Sequence, residues 1–355
     1  MLERIKKLPV NRWVDIALFI FLLIFPLIFN DYRTGFMGKT AAYMIFALSL
    51  DLLWGYTGLM SFGHAALFGL GGYIVGLSFS IQDGIPAFMS RMGVEELPWF
   101  LKILENNIVA SLLGLIIPAA FAAFLGYFIF SSKVSGIFFS LITMALAQIF
   151  ETFFANQSAY TNGTSGLGGL PRSFFGIELK IKPFYYLTIG IVILVYLLCL
   201  WLTNSRFGKV LMSVREDERR LSFIGYNPAR FKIAVYALSG MLAGLSGMLF
   251  VPFNGMISPT ELGISLSTMV LIWIAVGGRG NLTGAMLGTV LINWLQTLLS
   301  EYSADIWPLV LGALILAVIF LIPTGIIGKL KEIQYNISAR RTLEKLTAKE
   351  EENHG

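Results

Sequence analysis

The chain has 355 residues, of which 56% are hydrophobic and only 13% are charged, and its formal net charge is +5. A soluble globular domain carries about 25% charged residues, so this chain lacks the polar side chains needed to cover a water-facing surface of its size. The composition excludes a soluble enzyme, a disordered chain and a nucleic-acid-binding protein, and it predicts an integral membrane protein.

The predicted elements are apolar helices, since a helix that crosses a bilayer needs about 20 mostly apolar residues. In chain order, ten stretches predict such helices: 13–29, 40–54, 62–80, 108–130, 136–154, 184–202, 233–253, 266–276, 285–300 and 307–327. Those at 40–54, 266–276 and 285–300 are short for a full crossing and border glycine-rich stretches, which predicts broken or tilted helices. The predicted fold class is an all-α integral membrane protein, with one membrane domain at 1–328 and a polar tail at 329–355.

The distribution of Lys and Arg predicts the orientation of these helices, because cytoplasmic loops carry an excess of both residues. If ten helices alternate from an N-terminus in the cytoplasm, most of the 26 Lys and Arg residues fall on the cytoplasmic side. They include those of the long loop at about 203–232 and those of the tail. The sequence therefore predicts that both termini are cytoplasmic.

Few ionisable residues fall inside or beside the predicted helices, where such groups are functional hypotheses by default. Glu151 lies toward the outer end of its predicted helix, and we favour an interfacial position for it over a catalytic role. Asp51 lies near the inner end of the second helix, and His64 opens the third. For Asp51 we favour a helix-end carboxylate that meets water or a neighbouring donor. For His64 we favour a helix cap or a bond to a backbone carbonyl over proton relay.

Glycine clusters occur at two predicted cytoplasmic turns. The first cluster includes Gly58 and Gly63, and the second includes Gly277, Gly278 and Gly280. Small residues allow close packing between membrane helices, and glycines at the ends of short helices also suit hinges. Both interpretations stay open, and hinge motion is the functional hypothesis for these five glycines.

The predicted membrane interior otherwise offers neutral polar and aromatic side chains. The candidate residues for a solute pathway are Asn293, Gln296, Gln148, Asn254 and Trp273. Asn293 and Gln296 are three residues apart and therefore share a helix face. The set suits a small neutral or zwitterionic solute, whereas carriers driven by protons or sodium usually need buried acids. For each amide, hydrogen bonding between helices is the alternative.

Residue sets for metal or phosphate chemistry are missing from the sequence. Cys199 is the only cysteine, so neither an intrachain disulfide nor a thiol metal cluster can form. The stretch at 38–40 resembles the end of a phosphate-binding loop, but Arg33 occupies the position of the leading glycine. We therefore expect no metal site, no cofactor bound by this chain and no ATP hydrolysis by this chain alone.

The long loop at about 203–232 contains a short charged helix. Ser213, followed three residues later by Glu216, forms a capping-box pattern that predicts a helix start, and Gly225 predicts its end. Such a helix is too short and too charged to span a membrane. It is either a solvated connector or a surface for a soluble partner, to which it offers charged side chains: Arg215, Glu216, Asp217, Glu218 and Arg219.

Several motifs in the chain occur together and in a fixed order: Gly55-Tyr56-Thr57-Gly58, then the stretches 61–66, 206–209, 215–218, 224–226 and 277–288. Together they resemble the branched-chain amino-acid permease family of ABC importers, over residues 40–328. Within that family, the stretches 96–99, 251–261 and 272–280 are similar to the urea-importer permeases. The stretch 161–171 instead resembles the branched-chain amino-acid subgroup.

This resemblance implies the permease subunit of an ATP-driven importer in the cell inner membrane, with urea as the expected solute and a branched-chain amino acid as the alternative. It implies a second related permease subunit, two cytoplasmic ATPase subunits that use the ATP, and an extracytoplasmic solute-binding protein. The loop helix would then bind an ATPase subunit. From a different class, the alternative is a stand-alone channel or secondary carrier for a small neutral solute. On either expectation the chain is a transporter and not an enzyme.

Overall fold

A computed structural model of the chain describes residues 10–82, 84–132, 134, 136–174, 177–302, 310, 312–313 and 325–329. Helices dominate the described residues, which confirms the all-α class. Most of the tenth predicted helix, at 307–327, and the tail at 330–355 lie outside the described residues. The count of ten helices and the side on which the termini lie stay predictions.

The α-helices of the described residues are α1 (Val10–Ile28), α2 (Asp31–Thr57), α3 (His64–Ser80), α4 (Ala87–Arg91), α5 (Trp99–Lys102), α6 (Asn107–Ser131), α7 (Ile137–Asn156), α8 (Ser158–Thr161), α9 (Ile181–Asn204), α10 (Arg206–Glu216), α11 (Glu218–Phe223), α12 (Pro228–Asn254), α13 (Ile264–Gly277) and α14 (Leu282–Tyr302). Short 3-10 helices cover Ile103–Glu105, Gly163–Ser165 and Pro259–Leu262. Helices α2, α6, α7, α9, α12 and α14 are long and apolar enough to cross a membrane, and α1, α3 and α13 are shorter apolar helices. These nine helices correspond to the first nine predicted stretches.

Two small antiparallel strand pairs accompany the helices. Strand β1 (Leu167–Gly168) pairs with β4 (Met256–Ile257), and β2 (Ser173–Phe174) pairs with β3 (Ile177–Glu178). The first pair joins the loop that precedes α9 to the loop that follows α12. It therefore fixes the segment that leads into the Pro259–Leu262 helix.

Helix α2 is longer than its apolar stretch at 40–54 predicts, with 27 residues. The side chain of Asn30 accepts a hydrogen bond from the Arg33 backbone N–H at 3.0 Å and caps the helix start. Gly58, at φ 81°, ends the helix and donates its N–H to the Trp54 carbonyl. The expectation of a short helix was wrong because the first turns carry polar residues, which a search for apolar runs excludes.

The other two stretches predicted to be short differ in outcome. Helix α13 has 14 residues, so the prediction of a short helix is confirmed there. Helix α14 has 21 residues, so the prediction of a short helix at 285–300 was wrong. As in α2, polar side chains near its ends concealed part of the helix.

Helix α12 lies at the centre of the helix bundle and packs on α2, α3 and α6. A Cβ atom added at Gly240, Gly244 or Gly247 would overlap backbone oxygens of α6 or α3. The absence of side chains at these three positions therefore permits the close approach of the helices. The bundle has two ends, which we call the Asn30 end, where α2 begins, and the Gly58 end, where α2 ends.

Candidate functional site

A cavity of about 550 Å³ opens at the Asn30 end between α2, α13, α14 and the Pro259–Leu262 helix. Three of the predicted pathway residues, Trp273, Asn293 and Gln296, line it. The expected common face of Asn293 and Gln296 is therefore confirmed. We call this space the Lys39 cavity, after the lysine of α2 that also lines it.

Two side chains of opposite charge line the Lys39 cavity, Lys39 from α2 and Glu261 from the Pro259–Leu262 helix. Sequence analysis did not identify either as a site residue. Lys39 Nζ donates a hydrogen bond to Asn254 Oδ1 at 3.0 Å and lies 5.1 Å from the centroid of the Phe250 ring. The amide and the ring hold the ammonium group in place without neutralising it.

Glu261 is fixed by its own helix. Its Oε2 accepts hydrogen bonds from the Ser258 backbone N–H at 2.9 Å and from the Ser258 hydroxyl at 2.5 Å, which completes a capping box. The Thr260 hydroxyl donates to the same oxygen at 3.3 Å. Among the described residues these are its hydrogen bonds, and none of them involves Oε1.

Trp273 supplies a further polar group beside the cavity. Its side chain is buried, and its ring centroid lies 5.0 Å from that of Tyr43. The indole Nε1 is a buried donor with no hydrogen-bond partner in the described part of the chain. An unsatisfied buried donor costs free energy.

The two cavity amides do not connect helices through hydrogen bonds in the described residues. Asn293 Nδ2 donates to the Thr289 carbonyl at 2.8 Å, within α14, and Gln296 has no recorded partner there. The alternative of interhelical bonding therefore finds no support at these two positions.

The remaining predicted pathway residues lie elsewhere. Gln148 is exposed on α7, donates to Thr152 at 3.3 Å and lies outside the Lys39 cavity. Asn254 lines a neighbouring cavity of about 630 Å³ and contributes to the Lys39 cavity only as the partner of Lys39. Helical spacing predicts that Asn293 and Gln296 lie together. No local sequence pattern indicates whether Gln148 or Asn254 lies near them.

His64 connects three helices. Its Nε2 lies 2.8 Å from the Ser49 hydroxyl of α2 and 3.2 Å from the Ser239 hydroxyl of α12, and its ring stacks on Phe46. Neither expected contact is present among the described residues: the partners are hydroxyls and not a backbone carbonyl, and no side chain caps the start of α3. The structural role that we favoured agrees with these contacts.

At the Gly58 end, α2 and the long loop are joined by hydrogen bonds. Arg215 of α10 donates to the Gly55 carbonyl at 2.5 Å, and Arg279 donates to the Trp54 carbonyl at 3.2 Å. Cations at these carbonyls suit the negative end of the helix dipole. Asp51 accepts from the Gly280 backbone N–H at 2.8 Å, so the expected neighbouring donor is confirmed.

The long loop forms two helices, α10 and α11, instead of the one predicted from Ser213 to Gly225. Ser213 lies inside α10, where its hydroxyl donates to the Lys209 carbonyl at 3.1 Å. Asp217 separates the two helices and caps α11, because its Oδ1 accepts from the backbone N–H of Arg219 at 3.0 Å. The predicted start was therefore wrong. The predicted end is close, since α11 ends two residues before Gly225.

The apolar spacing upstream of Ser213 explains this difference. Gly208, Leu211 and Val214 are buried at intervals of three residues, and this stripe extends α10 back to Arg206. Ser205 then caps the helix by accepting a hydrogen bond from the Gly208 backbone N–H at 3.4 Å. The local serine–glutamate pattern was overridden by burial of this face.

The charged residues of the loop differ in their surroundings. Glu218 pairs with Lys232 of α12 at 2.5 Å, and the Lys232 side chain is 4% exposed. Glu216 is exposed at the end of α10. At the end of α11, Phe223 is 92% exposed, and the next residue, Ile224, is 69% exposed. An apolar tip beside free charges is typical of a surface that binds a partner.

The five candidate hinge glycines fall into two groups. Gly58, Gly278 and Gly280 have positive φ angles of 81°, 122° and 73°. Gly63 and Gly277 lie against backbone atoms of a neighbouring helix, where a Cβ would overlap a carbonyl oxygen. The hinge role stays a prediction for all five.

Comparison with known proteins gives a consistent result over most of the chain. Residues 32–319 match the family described as the permease component of branched-chain amino acid transport systems. The high-affinity branched-chain amino acid transport system permease protein LivM of Escherichia coli (strain K12) is 23% identical over 88% of this chain and 74% of its own length. LivH of Salmonella typhimurium is 26% identical over 87% of this chain and 97% of its own length. A probable LivM of Methanocaldococcus jannaschii is 24% identical over 80% of this chain and 90% of its own length. No solved structure matches the chain.

Proposed function

This chain belongs to the family of permease components of branched-chain amino acid transport systems, and we propose that it is a permease subunit of an ATP-driven importer of branched-chain amino acids. The names of the relatives refer to these solutes. Urea, which the motifs at 96–99, 251–261 and 272–280 favour, gains no support from these names. The branched-chain alternative therefore becomes the proposed substrate.

The observation that carries this proposal is the position of α2. At the Asn30 end it lines the Lys39 cavity with Lys39 and Tyr43. At the Gly58 end its last turn accepts hydrogen bonds from Arg215 of the loop and from Arg279. One helix thus connects a solute cavity to a partner surface, as an importer driven by a separate ATPase requires.

The proposed partners follow from this arrangement. The Asn30 end would face outward and receive the solute from an extracytoplasmic binding protein, and the Gly58 end would face two ATPase subunits in the cytoplasm. LivM and LivH of Escherichia coli are both similar to this chain, which supports pairing with a second related permease. The chain itself would bind no cofactor, and its partners would use the ATP.

Reconstitution tests the proposal. Proteoliposomes with both permeases, the ATPase subunits and the binding protein should accumulate radiolabelled leucine only when ATP is present. Liposomes with this chain alone should accumulate none. ATP-driven uptake of urea but not of leucine would overturn the proposed substrate. Uptake by this chain alone without ATP would instead establish a channel or secondary carrier.

Leucine at the cavity amides should lower uptake. In Asn293→Leu and Gln296→Leu the pathway loses hydrogen-bonding groups. We expect uptake to fall about tenfold, because the free energy of one or two lost hydrogen bonds corresponds to a change of that size. Assembly with the partner subunits should stay normal, because neither amide connects helices in the described residues. Gln148→Leu, on the exposed face of α7, is the matched control. If both cavity variants take up leucine at the rate of this control, the two amides do not contribute to the pathway.

A further inference from the structure

The Lys39 cavity is lined by one positive and one negative side chain. Lys39 and Glu261 line the same space from different elements, and among the described residues they form no ion pair within 4 Å. Lys39 lies in a helix that is long and apolar enough to cross a membrane, where ionisable groups are costly and are functional hypotheses by default. A cavity with separated opposite charges is complementary to a solute that carries both charges itself.

Each charged group keeps free hydrogen-bonding capacity. An ammonium has three donors, and the bond to Asn254 Oδ1 uses one of those on Lys39. The hydrogen bonds of Glu261 go to Oε2, which leaves Oε1. Both partners are held by neighbouring side chains before the solute arrives, so little further ordering is needed on binding.

The rest of the cavity offers room for an apolar side chain. Leu266 and Met269 of α13 line it, together with Phe36 of α2. Its volume of about 550 Å³ lies within the usual range of small-molecule sites, roughly 300–1,000 Å³. A neutral and wholly polar solute such as urea could hydrogen-bond to the two charged groups, but it would leave this apolar lining uncovered and would carry no charges to pair with them.

We propose that Lys39 binds the carboxylate and Glu261 binds the ammonium group of a zwitterionic amino acid in the Lys39 cavity. These two residues then select an α-amino acid over a neutral amide. This inference rests on the proposed function of the chain as an importer permease, and it assigns the residues that determine the solute class.

Charge-neutral variants test the assignment in the complete transporter with its binding protein. Lys39→Met removes the ammonium, and Glu261→Gln removes the carboxylate while keeping the capping box, in which glutamine also serves. Each variant should lower ATP-driven leucine uptake about ten- to a hundred-fold, the value of a hydrogen bond to a charged group. ATP hydrolysis stimulated by the loaded binding protein should stay unchanged, so less leucine should enter per ATP.

Matched controls separate this effect from a general loss of charge. Lys182→Met removes a lysine at the same end whose side chain is 49% exposed, and Glu105→Gln removes an exposed glutamate. Both should transport leucine normally. If Lys39→Met fails to assemble, Lys39→Gln replaces it, since glutamine keeps a donor for Asn254 without the charge.

The outcomes separate the two proposals. If the unmodified transporter imports leucine and either cavity variant does so at the control rate, the assignment is wrong and the proposed function stands. If the unmodified transporter imports no leucine with ATP, the proposed function itself fails. Reduced uptake in both cavity variants with normal controls supports the assignment.

Discussion

Glu218→Gln should destabilise the chain by about 2–3 kcal/mol, whereas Glu216→Gln should change its stability by less than about 0.5 kcal/mol. The substitution leaves Lys232 as an uncompensated charge with a side chain that is only 4% exposed. The expected loss is smaller than for a fully buried pair, because the Glu218 side chain is 40% exposed. Thermal midpoints of the purified chain in detergent would measure the difference.

A double variant isolates the charge pair. Adding Lys232→Met to Glu218→Gln removes the buried charge as well as its partner, so the double variant should be more stable than Glu218→Gln alone. Equal midpoints for Glu218→Gln and Glu216→Gln would contradict the pairing. A double variant less stable than Glu218→Gln would show that the uncompensated charge of Lys232 is not the cause of the destabilisation.

The same pair has a consequence for transport. Because Glu218 is the first residue of α11 and Lys232 lies in α12, the pair holds α11 against the membrane domain. Glu216 is free to contact an ATPase subunit, whereas Glu218 is already paired within this chain. We therefore expect Glu218→Gln to lower uptake per ATP by loosening α11, and Glu216→Lys to weaken ATPase binding without loss of stability.

The sequence predicted the helices better than their ends. Apolar runs located all nine apolar helices of the described residues, since a bilayer demands such runs. They missed the first turns of α2 because Asp31, Arg33 and Lys39 interrupt the run there. These residues are polar because they lie at a capped helix start or, for Lys39, beside a cavity. Their polarity therefore does not indicate a break in the helix.

The candidate site was predictable only where its residues share an element. Helical spacing brought Asn293 and Gln296 together correctly. The bond between Lys39 and Asn254 joins residues 215 positions apart, and no local pattern indicates it. Ser213 and Glu216 show the opposite problem, since a correct local pattern was overridden by the buried face of α10.

Gly277→Ala should prevent α13 and α14 from packing and should destabilise the chain by about 3 kcal/mol or more, the upper end of overpacking costs. A Cβ at this position would overlap the carbonyl oxygen of Gly284, and a backbone atom cannot move aside as a flexible side chain can. Gly190→Ala is the matched control. It lies in the middle of α9 with no atom within 4 Å of the added Cβ, and it should stabilise the helix by about 0.5–1 kcal/mol.

These two variants also distinguish packing from hinge motion at Gly277. A packing role predicts a lower thermal midpoint and poor recovery of Gly277→Ala, because α13 and α14 are forced apart. A pure hinge role predicts a normal midpoint with slower transport, because only the motion is restricted. Since Trp273 of α13 and Asn293 of α14 line the Lys39 cavity, separation of the two helices at the Gly58 end would also change the cavity at the Asn30 end. We therefore expect Gly277→Ala to lose both stability and leucine uptake, and a normal midpoint would refute the packing role.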